Sequence, residues 1–529
     1  MNRIKIFSII ALISLFISLN THRLSATPYH LHGLSAKGNL EAEYLIKNSL
    51  SSPLNETLSA RKILISQNGN MSDGTGPAFT EGAIMFSQPS QNISRTDFQT
   101  SIQTAASIDT ALQLFEQYQA AEFGQYFNKP LIGKTPTLSK ISQVLCQLAK
   151  VTGTKAALIY VGSFSEELQT LYVLPNETNN CSINTQQPEK EDKTEQKIIT
   201  KIKDSEIKQV VNSLREEISL VPLSPNYRSL EASQKLYNWI VKPLEKVLQA
   251  NQIDTLVFTM DAGLRSIPLA ALHDGKQFLN EKYSLTLIPS FGLTDTRYID
   301  VRNLPILAMG ASEFEDAISL PAVPVELKRI LTPPWRGISL LNEDFTLEKL
   351  KEIYQKQRFR ILHLATHGKF VQGDVSQSFI QLSNEKLRLD QVGEVASELK
   401  WPAPPPVEML VLSACETALG DEPELGFAGL AVQAGVKSAL ASLWQVDDVA
   451  TLALMSEFYG QLSKTPLKSQ ALRKTQLAML QGKVRIENNT LFLSEGKPIN
   501  LPPNIVGSEK IDFSHPHYWA GFTLIGNWN

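Results

Sequence analysis

The sequence predicts an α/β fold whose mostly parallel sheet is covered by helices, and three observations carry that expectation. Two short apolar runs, Arg360–Gly368 and Met409–Thr417, have polar residues on either side, the pattern of strands buried on both faces of a parallel sheet. Strand-like and helical runs alternate through the second half of the chain, as in sheets wound with crossover helices. The composition, 43% hydrophobic and 19% charged, is that of ordinary globular protein, and 529 residues are too many for a single core.

A net charge of −3 points neither to nucleic acid nor to an anionic membrane surface. The three cysteines, Cys146, Cys181 and Cys415, cannot build a disulfide framework, and one thiol must remain odd. Cys415 is the natural candidate. A Cys146–Cys181 disulfide and two unrelated thiols are both compatible with the sequence.

Residues 1–26 read as a signal peptide. Arg3 and Lys5 form a basic start, residues 6–19 an apolar core, and Leu24-Ser25-Ala26 a small-residue cleavage site. That core is short for a bilayer span, which needs about 20 residues, and no other stretch is apolar for long enough. The expectation is an exported chain, periplasmic or extracellular, without a stable span after cleavage. An oxidising compartment is then an awkward setting for a reactive thiol.

Residues 27–137 form a loop-rich N-terminal region. Gln67–Gly76 is a turn-rich loop, since its glycines follow no strand and no Gly-Lys-Ser/Thr closes it. Gly133-Lys134-Thr135 also fails as a phosphate loop, because Asn128 stands where a glycine is required. Ile108, Leu112, Phe115, Tyr118 and Phe123 predict an amphipathic helix over 107–127.

Residues 138–300 form a first α/β half. A helix begins at Leu138, and strands at 156–161 and 168–174 read as a hairpin. The mixed-sign tract 186–208 reads as a solvated loop or helix face, helical patterning runs from Leu230 to Leu248, and 254–260 is a further strand. Residues 301–529 form the second half. Strand 304–310, a helix from Phe345 to Tyr354 and the 360–368 strand come first. Trp401–Pro406 breaks the chain before the 409–417 strand. A helix over 426–435, a strand over 438–443 and an amphipathic helix over 449–462 follow.

The chemistry sits at the ends of the two apolar runs. One stops at His367 and the other at Cys415, and in open α/β sheets ligands bind beyond the carboxyl ends of strands. If the strands are neighbours, a thiol meets an imidazole, the minimum equipment for acyl transfer. Cysteine is nucleophilic even when mostly protonated, and histidine exchanges protons near neutral pH. No third carboxylate is evident to orient His367, so the expected site is a dyad. A zinc site is not expected: His363 and His367 are four apart, but Leu364 stands where the metalloprotease helix needs Glu, and the run is strand-like. His363 reads as a core residue or one supporting the site.

His-Leu-Ala-Thr-His-Gly (363–368) and Leu-Ser-Ala-Cys-Glu-Thr-Ala-Leu-Gly (412–420) resemble the two signatures of CHAT domains, caspase-like cysteine peptidases related to separase. Ser442–Thr451, His515–Phe522 and Asp261–Leu272 are similar to further family segments, so the resemblance covers roughly residues 140–529. It implies a caspase-like sheet, with a pseudo-caspase half at 138–300 and an active half at 301–529. It implies a cysteine endopeptidase acting on protein or peptide substrates without a cofactor, and amides of Gly368 and Cys415 as oxyanion donors. His367 precedes Cys415 by 48 residues, near the roughly 50 of caspases, whose own nucleophile signature is absent.

Asp447 and Asp448 have two readings, helix N-capping or lining a pocket for a basic substrate side chain, as in separase-like enzymes that cut after arginine. Glu416 and Glu424 could add negative charge nearby. The rival class is a catalytically silent binding or scaffold protein of the same fold. Against a serine hydrolase, no Gly-x-Ser-x-Gly elbow occurs in the proper context.

Overall fold

The computed structural model describes residues 94–126, 135–176, 181, 196–219, 230–370, 376–413, 416–417, 434–505 and 510–529. The signal peptide, the 67–76 loop, most of the 426–435 helix, Glu424 and Cys415 itself lie outside the described residues.

Two helices, α1 (Arg95–Gln103) and α2 (Ile108–Tyr126), precede α3 (Leu138–Thr152). Thr137 caps α3 by accepting from the Lys140 amide, and Gly153 ends it at φ 73, a left-handed conformation that suits glycine. The predicted hairpin forms as β1 (Ala156–Phe164) and β2 (Glu167–Val173), antiparallel and buried throughout. Its two faces serve two cores. Leu158, Tyr160, Leu171 and Val173 pack with the helices α1–α3, whereas Ala157, Ile159, Val161 and Tyr172 pack with α4 (Asp204–Ser219), α5 (Glu231–Ile240) and α6 (Glu245–Ala250). This is the strand alternation of period two, with both faces apolar because both are covered. Within the charged tract, residues 204–208 open α4, whereas Lys197–Lys201 form edge strand β3, which the sequence does not predict and whose lysines suit an exposed sheet margin.

Strands β4 (Thr255–Met260), β5 (Ser284–Leu287), β6 (Pro305–Gly310), β7 (Arg336–Leu341) and β8 (Ile361–Ala365) follow, with helix α7 (Val323–Ile330) after β6 and α8 (Leu347–Lys356) after β7. Helix α8 starts two residues later than the sequence predicts, because Thr346 caps it by accepting from the Lys349 amide. Then come β9 (Gly368–Phe370), β10 (Phe379–Gln381), β11 (Lys386–Arg388), α9 (Leu389–Glu398), β12 (Met409–Ser413), β13 (Glu416–Thr417) and β14 (Ser438–Ser442). Helix α10 (Asp448–Leu462) is buried on nearly every side instead of amphipathic, packed between α7 and α11 (Lys468–Leu480). A small sheet of β15 (Arg485–Glu487), β16 (Thr490–Phe492), β17 (Ile499–Asn500) and β18 (Lys510–Asp512) precedes β19 (Phe522–Gly526).

The main sheet has eleven strands in the order β3-β2-β1-β4-β5-β19-β14-β12-β8-β6-β7. It is mostly parallel, with antiparallel pairing at β3/β2, β2/β1 and β19/β14. That last reversal turns β6, β8, β12 and β14 against β1, β4 and β5. Their carboxyl ends therefore share one rim, and those of β1, β4 and β5 lie on the opposite one. Strands from residues 138–300 occupy one side of the sheet, and β19 joins them to the rest through β5.

A disulfide joins Cys146 to Cys181, with their Cα atoms 5.7 Å apart, which leaves Cys415 as the odd thiol of the three. Among the described residues no helix is long and apolar enough to cross a membrane, and no cluster of His, Cys, Asp or Glu could hold a metal ion.

Candidate active site

Strands β8 and β12 are parallel neighbours, with Ser413 opposite Ala365 at their carboxyl ends. The chains continue side by side as β9 and β13, also parallel, with Glu416 opposite Lys369 and Thr417 opposite Phe370. The described residues that flank Cys415 in the sequence, Ser413 and Glu416, are thus paired to residues that flank His367 and Gly368. The β8–β9 turn is tied down from β10. The His367 carbonyl accepts from the Gln381 amide at 2.9 Å, and the Thr366 hydroxyl donates to the Gln381 carbonyl at 2.7 Å.

His367 is half-buried, and its Nε2 lies 2.7 Å from the Ile318 carbonyl oxygen. A carbonyl can only accept, so Nε2 carries a proton, and Nδ1 is the nitrogen left to exchange one with a substrate or thiol. The Phe314 ring lies 4.7 Å from the imidazole, tilted by 55°. Among the described residues, the group that meets the His367 ring is a backbone carbonyl. Sequence reasoning missed Ile318, and no signal could have found it, because the acting atom belongs to the main chain.

Ile318 reaches the site because β6 leaves the sheet beside β8. A Cβ on Gly310 would come within 2.5 Å of the Ala365 carbonyl oxygen, so glycine permits the approach, and the Ala311 amide then donates to that oxygen at 3.0 Å. The segment from Ala311 runs over the rim and returns to α7 at Val323.

Four residues before His367, His363 is fully buried. Its Nε2 lies 2.8 Å from Glu326 Oε1 on α7, and its Nδ1 lies 3.2 Å from the Tyr459 hydroxyl on α10. Burial, and the Glu326 charge after it, raise the Tyr459 pKa well above its ordinary value, so the phenol keeps its proton. A neutral His363 donating to Glu326 and accepting from Tyr459 satisfies all three groups. His363 supports the frame of the site, with both ring nitrogens engaged by protein groups.

Both capping and burial appear at the aspartates. Asp447 is the N-cap of α10, with Oδ1 accepting from the amides of Val449 at 2.9 Å and Ala450 at 3.1 Å, and the residue is exposed. Asp448 turns the other way. Its Oδ2 accepts from the Ala322 amide at 2.7 Å, and burial, helped by the charges of Glu326 and Asp447, pushes its carboxyl up to about 7. Trp444, before them, donates from Nε1 to the His517 carbonyl at 3.0 Å, which brings the 515–522 segment to the end of β14.

Comparison with known proteins gives a family and a distant set of structures. Two crystal structures of the Saccharomyces cerevisiae separase–securin complex, at 2.6 and 3.0 Å, match with 10% sequence identity and a TM-score of 0.41. They cover 79% and 82% of this chain, which spans only about a third of the matched chains, 33% and 34%. No curated protein matches. The CHAT domain model matches residues 230–527, more than half of the chain and every strand that lines the site. On that match the chain belongs to the CHAT domain family.

Proposed function

We propose that the chain is a cysteine endopeptidase in which Cys415 and His367 form the catalytic dyad. The observation that carries the reading is the pairing of Glu416 with Lys369. Cys415 directly precedes Glu416 in the sequence, and His367 precedes Lys369 by two residues. The described neighbours of Cys415 in the sequence are therefore paired with the neighbours of His367, which supports the dyad.

In the proposed reaction the Cys415 thiol gives its proton to His367 Nδ1, and the sulfur attacks the scissile carbonyl carbon, forming a C–S bond and an oxyanion. The amides of Gly368 and Cys415 hold that oxygen. His367, holding a proton on Nδ1, passes it to the leaving amine as the C–N bond breaks, and a thioester remains. Water then attacks the thioester while Nδ1 takes its proton, and the acid product leaves as the C–S bond breaks. The Ile318 carbonyl keeps the ring in register through both halves.

A basic side chain of the substrate is assigned to Asp447. One of its oxygens caps α10, and a carboxylate has acceptor capacity left for a cation. Asp448 already accepts from Ala322, so its part lies elsewhere. Residues 138–300 are read as the pseudo-caspase half and 301–529 as the active half. Residues 1–26 are read as an export signal, and the Cys146–Cys181 disulfide suits the oxidising destination. The test is a positional peptide library incubated with wild type and Cys415→Ala. Cleavage after basic residues by wild type alone supports the reading, and cleavage by neither chain rejects it.

A further inference from the structure

The Ile318 carbonyl can orient His367 only if its loop is held still, and the structure pins that loop at both feet. The Ser312–Leu320 segment closes on itself where the Leu320 amide donates to the Ser312 carbonyl at 2.9 Å. At the first foot, Asn342 Oδ1 accepts from the Ser312 amide at 2.8 Å and from its hydroxyl at 3.1 Å. Asn342 directly follows β7, in the left-handed region at φ 52, a conformation Asn tolerates better than most side chains. Its own carbonyl accepts from the Phe345 amide at 2.7 Å and from the Ser383 hydroxyl. At the second foot, Asp448 Oδ2 accepts from the Ala322 amide at 2.7 Å. Between the feet the loop is exposed from Glu315 to Ser319, and the Ile318 side chain is 78% exposed. The loop also rests on the body through Phe314 and Leu320, which pack against the hydrophobic core, and through the contacts of Phe314 and Ile318 with His367.

We propose that Asn342 and Asp448 are positioning residues for His367, acting through the Ser312–Ala322 segment that they pin at its two ends, from just after β7 and from the start of α10. Four structural pieces then meet on one rim: β6 supplies the loop, β7 and α10 its pins, and β8 the imidazole. An exposed loop with no pins would sample many conformations, and the carbonyl would meet the ring only part of the time. The pins make the contact persistent, and the ring keeps one orientation toward the reacting atoms. Asp448 thereby serves the site without touching substrate, which separates it from Asp447. This deepens the peptidase reading; its kinetic consequence rests on that reading, and its effect on the imidazole does not.

The test follows the His367 ring N–H in the full chain by nuclear magnetic resonance, with the signal assigned by its loss in His367→Gln. A ring N–H is visible near neutral pH only when a hydrogen bond protects it from exchange with water. Wild type should show the His367 Nε2–H signal. Asn342→Ala and Asp448→Ala should lose it or exchange it at least tenfold faster. Asp448→Asn should restore it, because the amide oxygen can still accept from Ala322. In peptide cleavage the two alanine variants should lower kcat about tenfold with KM within about twofold, as misorientation of a catalytic group does. An unchanged ring signal in both alanine variants overturns the proposal, as does a raised KM for basic substrates that Asp448→Asn fails to reverse. Should Asp448→Ala not fold, Asn342→Ala decides alone. Should wild type cleave nothing, the peptidase reading fails and the ring signal still tests the pins.

Discussion

Glu326 Oε1 lies 2.8 Å from His363 Nε2, and both side chains are sealed from solvent, so a helix that packs over the sheet is locked to the strand that delivers His367. Removing one partner leaves the other buried and unsatisfied, which costs far more than the pair's net worth. Glu326→Ala leaves the His363 ring N–H buried without its acceptor and should lower stability by about 2 kcal/mol in urea unfolding. The double variant Glu326→Leu with His363→Leu should recover most of that loss, because apolar residues need no partner. A single variant as stable as wild type would show that the pair holds nothing.

Asp448 predicts a pH-dependent stability with a definite sign. Its carboxyl is raised to about 7 in the fold, chiefly by burial, from about 4 in an unfolded chain. Folding therefore favours the protonated form. The penalty on the charged form is absent below about pH 4, grows as pH rises, and is complete above about pH 7. Asp448→Asn mimics the protonated group, so it should raise Tm over wild type more at about pH 8 than at about pH 5, by several degrees. A difference that does not vary with pH would contradict the assignment.

Lys468 behaves in the opposite sense. It is fully buried, and burial lowers its pKa to about 7, with Lys437 adding to the effect and Glu408 opposing it. The penalty on the ammonium is complete below about pH 7 and gone above about pH 10, where the unfolded chain is neutral as well. Lys468→Met should stabilise the protein most at neutral and lower pH, and the gain should shrink toward about pH 10. Thermal unfolding of both chains across that range measures it.

Asp447 separates capping from recognition. Asn caps a helix about as well as Asp, so Asp447→Asn should leave Tm within about two degrees of wild type. It should also raise KM about tenfold for substrates with a basic side chain at the cleaved bond, as loss of a charge-assisted contact implies. Unchanged KM on basic substrates would move recognition to another residue.

The parts of the site that were legible in the sequence are those that local pattern controls. Both-sided burial wrote continuous apolar runs at β8 and β12, and the polar residues where those runs stop marked the rim. Helix α3 was legible because its cap and its glycine stop are local. Other parts depend on distant pairing. Strand β19 crosses between the two sides of the sheet, and nothing within Phe522–Gly526 names β5 and β14 as its neighbours. Lys197–Lys201 reads as a solvated tract because an edge strand has the same charge pattern. The orienting group of His367 is a peptide carbonyl, common to every residue, so composition is silent about it. Glu326 left a trace that could have been followed: it shares the apolar face of α7 with Val323, Leu327 and Ile330, an expensive place for a carboxylate without a partner.

The most direct measurement is peptide-bond cleavage by the full chain and by Cys415→Ala, side by side on one peptide library. The account predicts cleavage by wild type and a loss of at least about a thousandfold in the variant, the scale expected when a nucleophile is removed. Equal cleavage by the two chains, or none by either, would contradict it.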